Sequence, residues 1–329
     1  MKYIVTGGAG FIGSAIVWYL NKLGINEIII VDKLGKTEKW QNLKNLKFED
    51  YIDKDEFINL IEKNIFSKID TIFHLGACSS TTEKDADYLI YNNYKYTQKL
   101  CEWALKKEIF FIYASSAATY GDGNFGFSDR EKIIPKLRPL NMYAYSKQLF
   151  DLWALRNNLF DKITGLKYFN VFGPNEYHKE DMRSVVVKSY EQIKLTGKVK
   201  LFKSHKREYK DGWQLRDFIY IKDAVKMTIF LFENRICGIF NIGTGKARSF
   251  YDLVKNIFEA LSLPINIEYI DMPKDIREKY QYFTQADMKK LKSKGYKKKL
   301  YSLEEGIKDY VLNYLETSNK YLGKEDEKV

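Results

Sequence analysis

Residues 3–6 form an apolar run, followed by glycines and then by Ile12, Ile16, Val17, Leu20 and Leu23. That spacing lines one face of a 3.6-residue turn and predicts a helix ended by Gly24. Residues 27–32 (EIIIVD) are β-branched without polar alternation, as in a parallel strand covered on both faces. The alternation continues with a short strand near 47–51, a helix over 54–66, a strand over 69–75, a helix over 88–106 and a strand over 109–115. Parallel neighbours need a crossover, so this order predicts an α/β fold, a doubly wound parallel sheet.

A helix over 142–157 and a strand over 164–171 extend the pattern, which then becomes irregular. Residues 173–182 read as a loop, a helix follows to about 195, and 201–218 is polar and punctuated by glycine. Two short strands, 217–224 and 237–243, flank a helix and are expected to return to the first domain. The remainder predicts a helix over 251–261, a strand over 265–270, a helix over 303–315 and a frayed tail over 323–329.

At 329 residues and 45% hydrophobic, the chain has enough apolar material for a large core. No window reaches the roughly 18 consecutive apolar residues of a membrane span. The start, MKYIVTGGAGFIG, lacks the apolar core of a signal peptide, so the expectation is a cytoplasmic protein without membrane contact. Three cysteines and three histidines are scattered without paired spacing, which argues against a disulfide framework and against a metal site. The net charge of +11 rests on lysines spread over most segments, with only nine arginines, and does not read as a nucleic-acid surface. Residues 289–299 are the one dense basic run and read as a solvated helix end. A cationic chain also suits an anionic ligand.

The glycines carry the first chemistry. Gly7, Gly10 and Gly13 follow the first strand and open the first helix, the spacing of a dinucleotide-binding turn. Gly7 permits the tight turn, Gly10 lets backbone approach a pyrophosphate, and Gly13 allows close helix packing, while free N–H groups and the helix dipole attract the anion. Asp32 ends the second strand where a ribose hydroxyl partner belongs. Asp32 favours a free 2′-hydroxyl, as in NAD, whereas Lys33, Lys36 and Lys39 follow it and suit a 2′-phosphate, as in NADP, so these residues leave both cofactors open. The expected organisation is a dinucleotide-binding domain over 1–170 with a returning segment at about 217–243, and a substrate domain over 171–216 and 244–329.

Tyr143 and Lys147 stand four apart in YAYSK, on one face of a predicted helix. Such pairs recur in a chain with 25 tyrosines, so position decides. This pair follows the fifth strand, which ends in ASSAATYG and puts Ser115 and Ser116 at the carboxyl edge of the sheet, where ligands bind. A lysine ammonium near a phenol lowers its pKa, and a serine hydroxyl orients a substrate alcohol during proton transfer.

TGGAGFIGS, SSAATYG and YxxxK resemble the extended short-chain dehydrogenase/reductase superfamily of nucleotide-sugar epimerases and dehydratases. HLGACSSTTE, NVFGPNEYHK, RDFIY, GIFNIGTG and YQYFTQAD resemble more specifically the ADP-L-glycero-D-manno-heptose 6-epimerase family, over nearly the whole chain. That resemblance implies inversion of C6″ of an ADP-heptose for the lipopolysaccharide inner core, with tightly bound NADP, in a homo-oligomer, a pentamer. It implies acid/base roles for Tyr143 and Lys179, supported by Lys147 and Ser116. Implied cofactor contacts are Phe11, Ile12, Asp32, Lys33, Lys39, Lys54, Leu75, Gly76, Ala77, Cys78, Ser79, Asn92, Lys147, Val171 and Lys179, beside the three glycines. Implied substrate contacts are Ser116, Asn170, Asp181, Lys188, Phe202, Lys203, Ser204, His205, Arg216 and Tyr280. Asp181 and Lys188 depart from the family's Ser and His, and 207–214 reads as an insertion. A UDP-hexose 4-epimerase of the same superfamily is the rival reading. A dehydratase is disfavoured because Ala117, Ala118 and Thr119 stand where an acidic pair belongs, and a non-catalytic dinucleotide-binding protein is disfavoured by the intact Ser116, Tyr143 and Lys147.

Overall fold

The computed structural model describes residues 1–277 and 280–324; residues 325–329 of the tail expected to fray lie outside them. The elements, in chain order, are β1 (Lys2–Thr6), α1 (Phe11–Lys22), β2 (Ile28–Asp32), β3 (Asp50–Asp53), α2 (Lys54–Glu62), β4 (Ile69–His74), α3 (Ala86–Leu89), α4 (Tyr96–Lys106), β5 (Phe110–Ser116), α5 (Met142–Arg156) and β6 (Ile163–Tyr168). They continue with β7 (Asn170–Phe172), α6 (Val185–Thr196), β8 (Val199–Phe202), β9 (Leu215–Tyr220), α7 (Ile221–Glu233), β10 (Gly238–Ile242), β11 (Ala247–Ser249), α8 (Phe250–Ala260), β12 (Ile267–Ile270), α9 (Lys274–Arg277), α10 (Lys289–Ser293) and α11 (Leu303–Tyr310). A wide-turned segment, Ile90–Lys95, joins α3 to α4.

Seven parallel strands in the order β10-β6-β5-β4-β1-β2-β3 make the large sheet, the doubly wound arrangement expected. Successive side chains on a strand point to opposite faces. Val5, Ile28, Ile30 and Phe73 therefore pack with Ile16 and Leu20 of α1 and Ile229 of α7. Ile4, Ile29, Val31 and Ile72 pack on the other face with Phe57 of α2, Leu100 of α4 and Phe150 of α5. The uninterrupted apolar reading of β2 has this cause: all five of its residues are buried.

Three elements differ from the sequence reading. The strand near 47–51 lies later, at Asp50–Asp53, in register with Ile29 to Asp32. The expected strand over 164–171 breaks at Phe169, whose N–H donates to the Ile242 carbonyl at 3.0 Å. Residues beyond the break form β7, which leaves the large sheet and pairs with β9. The expected strand over 217–224 lies earlier, at Leu215–Tyr220, and gives way to α7 at Ile221; this β9 lies between β7 and β11 in a three-stranded sheet, while β10 joins the large one. Among the described residues no helix is long and apolar enough to cross a membrane.

Candidate active site

A cleft of about 1160 Å³ opens at the carboxyl ends of β1, β2, β4 and β5 and reaches across to β7, β9 and Tyr280. Its floor is the glycine turn. Gly7 has φ +67°, and a Cβ there would lie 2.6 Å from the Gly76 nitrogen. A Cβ on Gly13 would sit 2.1 Å from the Gly7 carbonyl oxygen. Helix α1 starts at Gly10 with no side-chain cap and no acid in its first turn, which leaves its N–H groups directed at the cleft and free for an anion. A dinucleotide pyrophosphate fits this cradle. Asp32 is already engaged: one oxygen accepts from the Ala9 N–H at 2.9 Å, the other from the Lys33 N–H at 2.7 Å and the Lys39 ammonium at 2.5 Å.

Ser116, Tyr143 and Lys147 converge on the same cleft from β5 and α5. Asn141 caps α5, accepting from the Ala144 N–H at 2.8 Å, and so fixes the turn that carries Tyr143. Burial raises the Tyr143 pKa, and a hydrogen bond with Ser116 opposes it. Lys147 directs its ammonium to the Ala114 carbonyl at 2.9 Å. Burial lowers its pKa to about 8, against the attraction of Asp151.

The turn after β7 carries Lys179, which lines the same cleft and whose ammonium lies 5.6 Å from the centre of the Phe11 ring. Burial lowers its pKa, with the Glu176 carboxylate opposing. Glu180 follows with φ +47° and ψ −121°, a conformation that L side chains rarely adopt. Glu176 clasps the segment by accepting from Gly173 N–H at 3.3 Å and the Ser184 hydroxyl at 2.8 Å.

Phe11, Ile12, Lys39, the segment from Leu75 through Gly76, Ala77 and Cys78 to Ser79, Asn170, Val171, Asp181, Arg216 and Tyr280 also line the cleft. Arg216 is buried between the rings of Tyr280 and Phe250, at 5.1 and 5.6 Å, and offers a desolvated cation to an anion. The remaining expected residues stand outside the lining. Lys33 and Lys54 are drawn to Asp55, at 3.6 and 2.8 Å. Asn92 is buried and donates to Asn93 at 3.0 Å. Lys188 donates to the Asp181 carbonyl at 2.5 Å. Phe202 packs its ring edge-on to Tyr280, Lys203 reaches Asp271 at 3.7 Å, the Ser204 N–H donates to Asp211 at 2.7 Å and the His205 N–H to the Tyr282 hydroxyl at 2.9 Å, so this stretch backs the cleft wall. Within 207–214, Trp213 stacks on Tyr251.

Residues that the sequence reading did not single out hold the site. Asn93 accepts from the Cys78 N–H and donates to the Cys78 carbonyl, both at 2.9 Å, which fixes the loop after β4. Asp151, fully buried, accepts from Ser115 at 2.8 Å and pairs with Lys167 at 2.6 Å. A buried acid four residues after Lys147 on one helix face was the available signal.

The model of the NAD dependent epimerase/dehydratase family matches residues 3–243. The chain belongs to that family. It is 52% identical over 322 residues to the ADP-L-glycero-D-manno-heptose-6-epimerase of Nitratidesulfovibrio vulgaris (strain DP4), covering 97% of this chain and 100% of that one. The crystal structure of the Helicobacter pylori enzyme of the same name superposes with a TM-score of 0.77 at 29% identity, over 95% of each chain. A UDP-N-acetylglucosamine 4-epimerase from Methanobrevibacter ruminantium M1 superposes with a TM-score of 0.79 at 28% identity, over 94% of this chain and 96% of that one. The chain is therefore a nucleotide-sugar epimerase that uses a nicotinamide dinucleotide. Fold alone does not divide these activities; sequence likeness does.

Proposed function

We propose that the chain inverts C6″ of ADP-D-glycero-β-D-manno-heptose to give the L-glycero epimer for the lipopolysaccharide inner core, using bound NADP. The observation that carries this reading is the 52% identity over the full length of a 6-epimerase. Convergence of Ser116, Tyr143, Lys147 and Lys179 on one cleft supports it. The reading includes a homo-oligomer, a pentamer, in the cytoplasm.

NADP is favoured over NAD because the chain occupies Asp32 itself and Lys39 neutralises it. A carboxylate so engaged is a weak acceptor for a ribose hydroxyl, and Lys39, which lines the cleft, supplies positive charge beside it for a 2′-phosphate. When bound, the dinucleotide would supply a reversible acceptor for the hydrogen of C6″ and its electron pair. The rest falls to the chain. Tyr143, ionised, takes the proton of the C6″ hydroxyl in one epimer while Ser116 orients that oxygen. Lys147 holds the ribose and, charged, favours the phenolate. The ketone turns over in the cleft, and Lys179 gives a proton to its oxygen in the opposite orientation. Arg216 holds the pyrophosphate of ADP.

The test is to denature the purified protein and identify the released nucleotide, then incubate fresh protein with ADP-D-glycero-β-D-manno-heptose and with UDP-glucose. NADP and conversion of the heptose are expected. NAD alone would reject the cofactor assignment, and conversion of UDP-glucose alone would favour the 4-epimerase reading, which the Methanobrevibacter structure keeps in view.

A further inference from the structure

One buried amide outside the chemistry joins its two halves. Asn42, 1% exposed, lies in the short helical turn Glu38–Leu43 after β2. Its Nδ2 donates to the Ala9 carbonyl of the glycine turn at 2.9 Å and to the Asn175 carbonyl at 3.0 Å, and lies 3.2 Å from Nδ1 of His178. Burial lowers the His178 pKa to about 4, with a hydrogen bond to the Asn175 backbone opposing, so at neutral pH its ring is uncharged and packs beside the amide. Lys179 follows His178 directly, and its ammonium lies over Phe11, the first residue of α1. Asn175, fully buried with φ +78°, donates from its side chain to the Ser14 hydroxyl at 2.9 Å and accepts from the Leu322 N–H at 3.0 Å. The turn carrying Lys179 is thereby tied to the glycine turn, to α1 and to the C-terminal segment.

An aspartate at position 42 would set a carboxylate against two carbonyl oxygens, and an alanine would leave both carbonyls without their donor. The site needs a donor, short enough to reach both sides. We propose that Asn42 is a positioning residue that pins the Lys179-bearing turn to the glycine turn, so that filling the glycine turn with dinucleotide and placing Lys179 are coupled. This rests on the reading of Lys179 as an acid/base and of the cleft as a dinucleotide site.

Amide hydrogen exchange of the wild type and Asn42→Ala, each with and without NADP, tests it. NADP is expected to slow exchange at 7–13 in both proteins but at 173–184 only in the wild type, where the turn is also slower to exchange without NADP. A turn that exchanges alike in the two proteins under both conditions overturns the proposal. If Asn42→Ala does not fold, His178→Ala removes one contact at the turn and leaves the Ala9 bond; the same comparison then applies, with the same two outcomes.

Kinetics provides a second arm. Asn42→Ala should lower kcat on the order of 10- to 100-fold with KM changed less than about threefold, the scale of a misplaced catalytic group. In a Lys179→Met background the same substitution should change the residual rate less than about twofold, because its effect passes through Lys179. A full additional loss in that background overturns the proposal. Full activity of Lys179→Met itself would instead reject the acid/base role, leaving exchange to decide the tie.

Discussion

Replacing Asp151 by asparagine removes one charge from a pair that is sealed from solvent. Asp151 and Lys167 have side chains 0% and 1% exposed and meet at 2.6 Å. The same carboxylate accepts from the hydroxyls of Tyr113 and Ser115, both at 2.8 Å. Lys167 also donates to the Thr119 hydroxyl at 2.6 Å, and that hydroxyl donates to the Ser116 carbonyl at 2.7 Å. The two hydroxyls donate to different oxygens, so the amide of Asp151→Asn keeps an acceptor for only one of them, and the larger loss is the counter-charge of a buried ammonium. Removing one partner of such a pair costs about 3–5 kcal/mol. Urea unfolding followed by circular dichroism measures it. Adding Lys167→Met deletes the orphaned ammonium, and the double variant should regain at least about 1 kcal/mol over Asp151→Asn. Activity responds as well. Asp151 is the main group that raises the Lys147 pKa against burial, with Cys78 second. Without it the Lys147 pKa falls below about 8, and any rate that needs the charged lysine declines at lower pH than in the wild type. A cost under about 1 kcal/mol for Asp151→Asn, or a double variant less stable than it, would refute the reasoning.

Tyr143→Phe removes only the ionisable oxygen and should abolish epimerisation while dinucleotide release on denaturation stays normal; unchanged turnover removes Tyr143 from the mechanism. Lys179→Met should lower kcat on the order of 10²- to 10⁴-fold in both directions, whereas a rise in KM alone would make Lys179 a binding residue. Gly13→Ala places a methyl 2.1 Å from the Gly7 carbonyl oxygen, so dinucleotide should no longer co-purify, and retention at the wild-type level counts against the cradle. His74 is buried between Thr6 and Thr97 at 2.6 and 2.9 Å, and burial lowers its pKa to about 3. The unfolded state binds its proton near the ordinary 6.5 and the folded state does not, so this contribution is full above 6.5 and is lost as pH falls towards about 3. Urea titrations across that window should show a shallower acid loss for His74→Gln than for the wild type.

Much of the fold was written locally. The β-branched run of β2 is buried on both faces of a parallel sheet, and the helical spacing of Ile16 and Leu20 faces one side of it. Glycine spacing carried the cradle because each position answers a short-range demand: a positive φ at Gly7, and contact of Gly13 with a carbonyl six residues before it. YAYSK carried Tyr143 and Lys147 because a helix face repeats within four residues. The break at Phe169 was not legible, since Asn170 to Phe172 are as strand-like as the residues before them; the choice of β9 over the large sheet was made by pairing with residues 48 positions away, Asn170 with Phe218. Nor was the direction of lysine side chains: Lys33 and Lys54 turn to Asp55, and Lys188 turns to the Asp181 carbonyl. Asn42 and Asn175, 133 positions apart, show the limit most plainly. Apolar burial repeats along an element and leaves a period in the sequence, whereas a hydrogen bond between single polar groups from distant elements leaves none, so only the folded chain could bring them together.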